Sequence, residues 1–330
     1  MGTRALTPLD EAVWVEAASG GDEQAFERLL EPHRRAIRAH CYRLLGSLED
    51  ADDAVQETSL RAWKALDRFE PRAPFRAWVY RIATNVCLRA NERRARAPEA
   101  LDPGEIAIAR YFQPYPDRLM SADATVEERE SLGLAFVSVV QLLPPRQRAV
   151  LVLRDVLDWS AQEVADLLGD SVASVNSALQ RARAKLERER TAGRLAREHA
   201  PASAEAETRV VQRFLAAWEA VDVDGLVALL ADDAVMTMPP EPMRLVGTQA
   251  IGDFFRTVPA SGALERIRLV PTRANGQPAV AAYLEDEAGT FEAYGVMVLA
   301  LAGEQVVSIT GFAGYPQLFP ELGLPLALDA

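Results

Sequence analysis

Residues 143–186 read LPPRQRAVLVLRDVLDWSAQEVADLLGDSVASVNSALQRARAKL, and this stretch carries the start and stop signals of two consecutive helices. Ser160 and Glu163 form the S-x-x-E pattern of a capping box, which begins a short amphipathic helix. Gly169 then provides a left-handed stop. Ser171 suits the N-cap of the next helix. The spacing predicts a helix-turn-helix.

The second of these helices has two chemically different faces. Its apolar face consists of Val175, Leu179, Ala182 and Leu186. At 100° per residue, the polar residues on the opposite side and flank are Ser174, Asn176, Ser177, Gln180, Arg181 and Arg183. Hydroxyl, amide and guanidinium groups are what base edges and phosphates in a major groove require. The helix is therefore predicted to contact DNA, and a solvated helical hairpin is the alternative.

Charge is unevenly distributed along the chain. Residues 1–200 hold 29 Lys and Arg against 31 Asp and Glu, net −2, whereas residues 201–330 hold 7 against 17, net −10. Within the first part, residues 68–97 carry a net charge of +6 and residues 176–197 one of +5, separated by residues 98–130 with −5. Two basic segments divided by an acidic one predict a DNA-binding protein with two contact surfaces.

Composition excludes several classes of protein. The chain of 330 residues is 49% hydrophobic and 25% charged, which is typical of a folded protein of two or three domains. The longest apolar runs, residues 132–143 and 296–302, are too short to span a bilayer, and no secretory signal is visible. Two cysteines and three histidines provide neither a disulfide framework nor a zinc site. We expect a cytoplasmic protein without a metal or cofactor.

The pattern of apolar residues divides the chain into three parts. Residues 22–96 show helical spacing with short breaks, and residues 125–190 form a second helical segment. Between them lies a Pro-containing linker. After a linker of small residues, helices are predicted at 207–220, 224–230 and 248–258, followed by strands at 265–271, 279–285, 290–301 and 305–312. This order indicates an α+β domain at the C-terminus.

The first helical segment combines an acidic helix with an aromatic and basic one. The helix SLEDADDAVQETSLRAWKAL contains five acids before its first arginine, Arg61, and would dock on a basic partner. The stretch DRFEPRAPFRAWVYRIATNVCLRANERRAR follows, with aromatic residues between arginines. That pattern suits single-stranded DNA, on whose bases aromatic rings stack. The spacing of Trp78, Ile82 and Val86 fits the buried face of a helix equally well.

These segments, in this order, resemble the extracytoplasmic-function group of sigma-70-type RNA polymerase sigma factors. DADDAVQETSLRAW is similar to region 2.2, which in that family binds the coiled coil of the polymerase β′ subunit. FRAWVYRIATNVCLRANERRAR is similar to regions 2.3 and 2.4, which melt and read the −10 element. Residues 143–186 are similar to region 4, which reads the −35 element. The resemblance implies core polymerase, including its β flap, and promoter DNA as partners, and no membrane.

The resemblance also implies roles for individual residues. The −10 contacts would be Phe69, Arg72, Phe75, Arg76, Arg81, Asn85, Arg89, Arg93 and Arg94. The −35 contacts would be the six polar residues of the second helix already named. The contacts to core polymerase would be Asp50, Asp52, Asp53, Gln56 and Glu57.

The C-terminal part, RVVQRFLAAWEAVDVDGLVALLADDAVMTMPP followed by GTQAIGDFFRTV and four strands, resembles the cone-shaped SnoaL-like fold that ketosteroid isomerases share. The fold encloses an apolar cavity, here predicted to be lined by Phe214, Trp218, Met236, Met238, Phe255, Tyr283 and Tyr294. This domain would bind a small apolar ligand or would contact the sigma regions of the same chain. In related sigma factors such an extension regulates the factor in cis.

The isomerase pattern requires a tyrosine and an aspartate, which stabilise an oxyanion and abstract a proton. By that pattern, Phe214 stands at the tyrosine position and Met238 at the aspartate position. A phenyl ring donates no hydrogen bond and a thioether accepts no substrate proton, so the sequence argues against isomerisation. Asp232 and Asp233 remain, but the run ADDA is more typical of a helix end than of a catalytic base. We therefore expect no enzyme.

The sequence thus predicts a multidomain fold, two all-α sigma domains followed by an α+β cone-shaped domain. The expected boundaries are residues 1–97 for region 2, 98–127 for the acidic linker, 128–192 for region 4, 193–206 for a second linker and 207–330 for the cone. Two other functions stay open. One is a helix-turn-helix activator that does not bind core polymerase. The acidic helix argues against it, because such an activator would not need that helix. The other is an enzyme fused to a DNA-binding module.

Overall fold

The computed structural model describes residues 8–69, 74–95, 112–120, 131–191, 202–241 and 243–329. The chain forms two compact units, and neither is continuous in sequence. A helical unit comprises residues 1–100, 119–132 and 136–188, and a sheet unit comprises residues 101–118, 133–135 and 189–330. Most of the two predicted linkers, residues 98–111, 121–127 and 193–201, lies outside the described residues.

The helical unit contains eight described helices. They are α1 (Pro8–Ser19), α2 (Glu23–Leu45), α3 (Leu48–Ala65), α4 (Phe75–Ala95), α5 (Leu134–Gln141), α6 (Pro145–Leu151), α7 (Ala161–Leu168) and α8 (Val172–Thr191). A wider helical turn, Val152–Val156, continues α6. The helical spacing of residues 22–96 thus corresponds to α2, α3 and α4, and α1 precedes the predicted helical part.

Caps explain where these helices begin and end. Asp22 starts α2, its carboxylate accepting from the backbone N–H groups of Gln24 and Ala25, and Gly46 ends it at φ 73°. The capping box of Ser160 and Glu163 forms as the sequence predicts. Gly169 ends α7 in the left-handed conformation, at φ 64°. A turn then leads directly into α8, which completes the helix-turn-helix.

The two helical segments pack against each other in this unit. Helices α2 and α4 contact α6, and the Tyr80 ring lies 5.9 Å from that of Trp159. The buried interior draws on both segments, including Leu29, Ile37, Val79, Val150 and Val164. Burial of these apolar side chains provides the main free energy that holds the unit together.

The sheet unit contains one seven-stranded sheet, against which helices pack. Its helices are α9 (Ala204–Glu219), α10 (Val223–Val227), α11 (Thr248–Thr257) and α12 (Leu318–Glu321). Its strands are β1 (Leu230–Thr237), β2 (Arg244–Val246), β3 (Ile267–Ala274), β4 (Gln277–Glu285), β5 (Phe291–Ala302), β6 (Gln305–Ala313) and β7 (Ala327–Leu328). The strand order is β2-β1-β6-β5-β4-β3, with β7 added to β5. Only β1 and β6, among the described pairs, run parallel.

The sheet corrects one part of the sequence prediction. Residues 224–230 were expected to be a helix that continues toward ADDA, but the helix ends at Val227 and β1 begins at Leu230. The pairing of β1 with β6 shifts register between Leu230 and Val235. Asp232 and Asp233 therefore lie in an irregular part of a strand, both exposed to solvent. Pairing with a distant strand overrides the local helical preference.

The linker segment 112–118 lies on the hairpin that joins β3 to β4. Asn275, at φ 58°, and Gly276, at φ 71°, form the two-residue turn. The backbone N–H of Tyr115 donates to Asn275 Oδ1 at 2.8 Å, and the backbone N–H of Asn275 donates to the Tyr115 carbonyl at 2.7 Å. Both residues are buried. The linker is thus built into the sheet unit.

Ion pairs and the C-terminal tail extend this attachment. Asp117 accepts from the backbone N–H of Gly276 at 2.7 Å and pairs with Arg273 at 3.2 Å. Arg118 donates to the Pro320 carbonyl at 2.7 Å. The tail itself packs on the sheet, since Tyr283 contacts Phe319 and donates its hydroxyl to the Pro325 carbonyl. The closing segment therefore packs on the sheet unit.

Candidate nucleic-acid interface and C-terminal cavity

Helix α3 carries the acidic residues that the sequence singles out, and most of them have partners within the helical unit. Asp50 pairs with Arg94, and Asp52 pairs with Arg38. Glu57 pairs with Arg61 at 2.6 Å, one turn along the same helix.

The same helix leaves an exposed stripe on its other side. Asp53, Gln56 and Leu60 are exposed, Leu60 by 56%. Their spacing of three and four residues puts them on one face. Of the five predicted polymerase contacts, Asp53 and Gln56 are therefore the ones that are free to meet a partner.

An aromatic cluster lies where α4 begins. The Glu11 carboxylate accepts from the backbone N–H of Phe75 at 3.0 Å and so caps the helix. Phe75 is fully buried, and its ring lies 5.8 Å from that of Phe69 and 5.7 Å from that of Trp78. A ring with no exposed surface has no face on which a base can stack, which corrects the sequence assignment of Phe75. Phe69 and Trp78 are half-buried.

Helix α4 presents a basic stripe. Arg81, Asn85, Arg89 and Arg93 follow one another at intervals of four residues, and the three arginines are exposed. At 1.5 Å per residue the stripe extends about 18 Å. Arg76 is also exposed, with its guanidinium 5.4 Å from the centre of the Tyr80 ring. A row of guanidinium groups at this spacing suits the phosphates of a nucleic-acid strand.

Two of the arginines assigned to DNA are not in that stripe. Arg94 is half-buried, donates to the Leu45 carbonyl at 2.9 Å and pairs with Asp50. These contacts join α4 to α2 and α3, and the assignment of Arg94 to DNA stays a prediction. Arg72 lies outside the described residues.

A buried histidine lies under this surface. Thr84 donates its hydroxyl to the Tyr80 carbonyl at 2.8 Å, so its oxygen accepts from Nε2 of His40 at 2.9 Å. Nδ1 of His40 is then the unprotonated nitrogen, and no described residue donates to it. Burial, assisted by Arg43, lowers the pKa of His40 to about 3. The ring is neutral and holds α4 against α2.

Helix α8 is the second helix of the helix-turn-helix. Ser171 accepts from the backbone N–H of Ser174 at 3.1 Å and starts the helix. Val175, Leu179 and Ala182 are buried, as the apolar spacing predicts. The predicted DNA face is open, because Asn176, Gln180, Arg181 and Arg183 are exposed, and Ser174 and Ser177 are half-buried.

The two exposed arginines of α8 differ in their contacts. Arg181 donates to Ser177 Oγ at 2.7 Å within the same face. Arg183 instead makes two hydrogen bonds to Asp155, at 2.9 and 2.7 Å, and these raise its pKa. A guanidinium already held by a carboxylate has to exchange that partner for DNA. Arg181 is therefore the better placed of the two to read a base.

The sheet unit contains an apolar cavity of about 60 Å³. Five of the seven predicted residues line it, Trp218, Met236, Met238, Phe255 and Tyr294. Phe214 and Tyr283 do not. Phe214 packs in the core one turn before Trp218, and Tyr283 lies on the strand face opposite to Ala282, which does line the cavity. Sequence reasoning missed Met297 and Gly311, which also line it.

The lining of the cavity has few polar groups. Its lining contains no histidine or carboxylate among the described residues, and Trp218 uses its indole N–H on the Ile267 carbonyl at 2.9 Å. Pockets that bury a drug-sized molecule are several hundred Å³ in volume. A ligand larger than a few atoms would therefore require the methionine side chains to move, which their flexibility permits.

Two further features bear on function. In the part of the chain that the structure describes, no group of three or more His, Cys, Asp or Glu side chains is arranged to hold a metal ion. Every helix within the described ranges is too short or too polar to cross a membrane.

Comparison with protein families divides the chain into three matches. Residues 29–97 match Sigma-70 region 2, residues 134–186 match Sigma-70, region 4, and residues 211–309 match the SnoaL-like domain. Helices α2 to α4, α5 to α8 and the sheet unit contain these matches in turn.

Individual relatives agree with this division. The chain is 43% identical over 339 residues to the ECF RNA polymerase sigma factor SigG of Mycobacterium tuberculosis, covering 96% of this chain and 90% of the relative. It is 28% identical to the ECF RNA polymerase sigma factor SigW of Bacillus subtilis, over 53% of this chain and 94% of the relative. The crystal structure of the M. tuberculosis extracytoplasmic function sigma factor SigJ has the same fold, with a TM-score of 0.58, 24% identity and coverage of 90% and 98%.

The buried histidine predicts a pH dependence of stability. Unfolded histidine takes up a proton near pH 6.5, but His40 in the folded chain does so only near pH 3. The unfolded state therefore binds more protons between these values, so the stability of the helical unit falls as the pH drops below 6.5. At pH 5 the loss is about 2 kcal/mol, at about 1.4 kcal/mol for each pH unit.

Urea unfolding at pH 7.5 and pH 5 measures this loss. We expect His40→Gln to lower stability at pH 7.5 and to lose less on acidification than the parent chain. His33→Gln is the control, since His33 is only partly buried and its pKa is lowered less by its surroundings. An acid loss that is the same in His40→Gln and the parent would contradict the prediction.

Proposed function

The chain belongs to the extracytoplasmic-function sigma factors of RNA polymerase, and we propose how its surfaces divide the work of promoter recognition. It directs core polymerase to promoters and initiates transcription. Region 2, residues 1–97, contacts the β′ coiled coil through α3 and the −10 element through α4. Region 4, residues 128–192, contacts the β flap and reads the −35 element through α8. The chain therefore acts where the polymerase does, in the cytoplasm.

The observation that carries this proposal is the separation of charges on the helical unit. Arg81, Arg89 and Arg93 of α4 and Arg181 of α8 are exposed, whereas Asp50 and Asp52 of the same unit pair with Arg94 and Arg38. A positively charged surface attracts phosphates and raises the rate of association with DNA. The exposed acid Asp53 offers the opposite charge to a different partner.

The C-terminal sheet unit regulates initiation from within the chain. It holds residues 112–118, the segment that connects region 2 to region 4, by the Tyr115 and Asn275 hydrogen bonds and by Arg273. Phe112 of this segment lies 5.9 Å from Phe312, whose strand borders the cavity. These contacts within the sheet unit support an effect of the C-terminal domain on the connecting segment. A small apolar ligand would act on the same segment by displacing the cavity wall.

The alternative functions fit these observations less well. A cavity without an acid or base has no means of proton transfer, so we propose a non-enzymatic role for the SnoaL-like domain. A helix-turn-helix activator would not require the exposed stripe of α3 or the aromatic and basic surface of α4.

Charge reversal on α3 tests the polymerase contact. We expect Asp53→Lys to weaken binding to core polymerase about tenfold, because an acid that meets a basic partner becomes a repelling cation. Glu16→Lys is the matched control, since Glu16 is an exposed acid on α1 that has no assigned contact. Titration of core polymerase at low protein concentration, monitored by fluorescence anisotropy, measures the affinity. Equal affinities of Asp53→Lys and Glu16→Lys would contradict the assignment.

Removal of one guanidinium tests the −35 contact. Arg181→Ala should lower run-off transcription by about 5-fold to 150-fold, since a good bidentate base contact is worth about 1–3 kcal/mol. The same substitution should have little effect on a promoter whose −35 element is already mutated, because the contact is then absent. A loss of the same size on both promoters would refute base reading by Arg181.

A substitution in the hairpin tests regulation by the sheet unit. Asn275→Gly keeps the positive φ of the turn but removes the acceptor of the Tyr115 N–H, which leaves a buried donor unsatisfied at a cost of about 1–3 kcal/mol. We expect run-off transcription to change at least several-fold, in the direction of a rise, because the connecting segment is released.

The matched control breaks an ion pair elsewhere in the sheet unit. Arg209→Ala removes the pairing with Glu304, at 2.6 Å, and does not touch residues 112–118. Unchanged transcription by Asn275→Gly, with the sheet unit folded as judged by circular dichroism, would remove the regulatory role of the linker attachment.

A further inference from the structure

Methionine is concentrated around the apolar cavity of the sheet unit. The chain has six methionines, and Met236, Met238 and Met297 line this one cavity. Met236 lies on β1 and Met238 directly follows the end of that strand, so their spacing of two residues puts both on one face of the sheet. Met297 belongs to β5. Three thioether side chains from two parts of the sheet therefore border the same space.

Gly311 on β6 lies between two of these methionines. It pairs with Met297 across the sheet, and the pairing of Thr237 with Thr310 sets Met238 beside it on the other side. A Cβ built on Gly311 would lie 3.2 Å from Cγ and 3.7 Å from Sδ of Met238. Residues paired directly across strands carry their side chains on one face, about 4.5–5.5 Å apart at Cβ. The glycine thus leaves a gap that Met238 enters and Met297 borders.

The gap is partly open to solvent. Met238 and Met297 are half-buried, whereas Met236 is only 1% exposed. Tyr294, which also lines the cavity, is 37% exposed. A small solute can therefore reach two of the three methionine side chains, with the third behind them.

Thioether sulfur is a soft, polarizable and uncharged donor. It suits soft cations such as Cu(I), whereas Mg²⁺, Ca²⁺ and Mn²⁺ prefer oxygen ligands. The two thiols of the chain, on Cys41 and Cys87, are buried in the helical unit, away from this cavity. A cavity of about 60 Å³ has room for a single ion, because about 10–15 Å³ is enough to hold one water molecule.

The net charge of this part of the chain favours a cation. Residues 201–330 hold 7 Lys and Arg against 17 Asp and Glu, net −10. A negative potential raises the local concentration of cations. Neutral thioethers leave the charge of a bound cation uncompensated, so this potential offsets part of the cost of removing the cation from water.

We propose that Met236, Met238 and Met297 form a binding site for a soft monovalent cation of the Cu(I) class. Met238 and Met297 hold the ion over Gly311, and Met236 supplies a deeper third sulfur. Binding changes no oxidation state and does not depend on promoter recognition. The sequence expectation of a chain without a metal considered cysteine and histidine ligands alone.

Silver(I), which has the charge and the filled d shell of Cu(I) and is stable in air, is the probe. Titrated as the nitrate in chloride-free buffer, it should bind the full chain in isothermal titration calorimetry. Met238→Leu and Met297→Leu should each lower the affinity about tenfold, because each removes one soft donor at nearly constant volume. Silver taken up by Cys41 and Cys87 would be the same in parent and variants.

Met243→Leu is the matched control. Met243 is partly buried against the same core but does not line the cavity. Its substitution should leave the affinity within twofold of that of the parent. Equal affinities of the parent, Met238→Leu and Met297→Leu would overturn the site, as would a parent chain that binds no silver.

Gly311→Ala separates the geometry of the site from its methionine content. Alanine fits this backbone, which is not at positive φ, and all three sulfurs remain. The added methyl group would lie 3.2 Å from Cγ of Met238 and so displaces that side chain. The affinity for silver should fall several-fold, and an unchanged affinity contradicts a site over Gly311.

X-ray absorption identifies the ligands in the parent chain, and so remains decisive if a variant fails to fold. With Cu(I) supplied anaerobically in the presence of ascorbate, the nearest neighbours of copper should be sulfur atoms. A second sample with both thiols blocked by N-ethylmaleimide after unfolding and refolding should give the same sulfur shell. A shell of nitrogen or oxygen in either sample, or displacement of silver by excess Mg²⁺, would contradict a thioether site.

Discussion

The attachment of residues 112–118 to the β3–β4 hairpin is the constraint on which the rest of the structure depends. Tyr115 and Asn275 exchange hydrogen bonds in a buried position, where an unpaired backbone group would be costly. The chain therefore runs from the helical unit into the sheet unit and back again. The sheet unit thus holds a segment of the chain that lies in sequence between the two matches to the sigma regions.

Basic and acidic residues are separated along the chain. A chain with net charge −12 can contact DNA only if its basic residues are grouped and its acids are kept away from them. Pairing within the helical unit achieves this, because Arg38 and Arg94 neutralise acids of α3 and leave the stripe of α4 exposed. The excess negative charge lies in residues 201–330, with 7 Lys and Arg against 17 Asp and Glu.

Local signals in the sequence predict much of the fold. The capping box at Ser160, the stop at Gly169 and the apolar face of α8 are short-range features, and the structure has all three. The burial of Phe75 and the ion pair of Arg94 were not predictable in this way, because both depend on partners distant in sequence. Arg94 meets Asp50, and Phe75 is capped by Glu11.

In the C-terminal domain, too, the features that depend on distant residues were not predictable from the sequence. Alternation of apolar residues predicts β3 to β6. The strand β1 was missed because the run ADDA, taken alone, suggests the end of a helix. Its strand conformation depends on pairing with β6, which is distant in sequence. The cavity prediction failed at Tyr283 because the face of a strand depends on its register, and a one-residue difference reverses it.

Hydrogen exchange at the Tyr115 amide tests the central claim most directly. In the native full-length chain, this N–H donates to a buried acceptor of the sheet unit. It should therefore exchange only when that unit opens, with a protection similar to that of amides in β4. The contrary result would be exchange of Tyr115 at the rate of an unstructured peptide while β4 stays protected, which would show that the connecting segment is not held by the sheet unit.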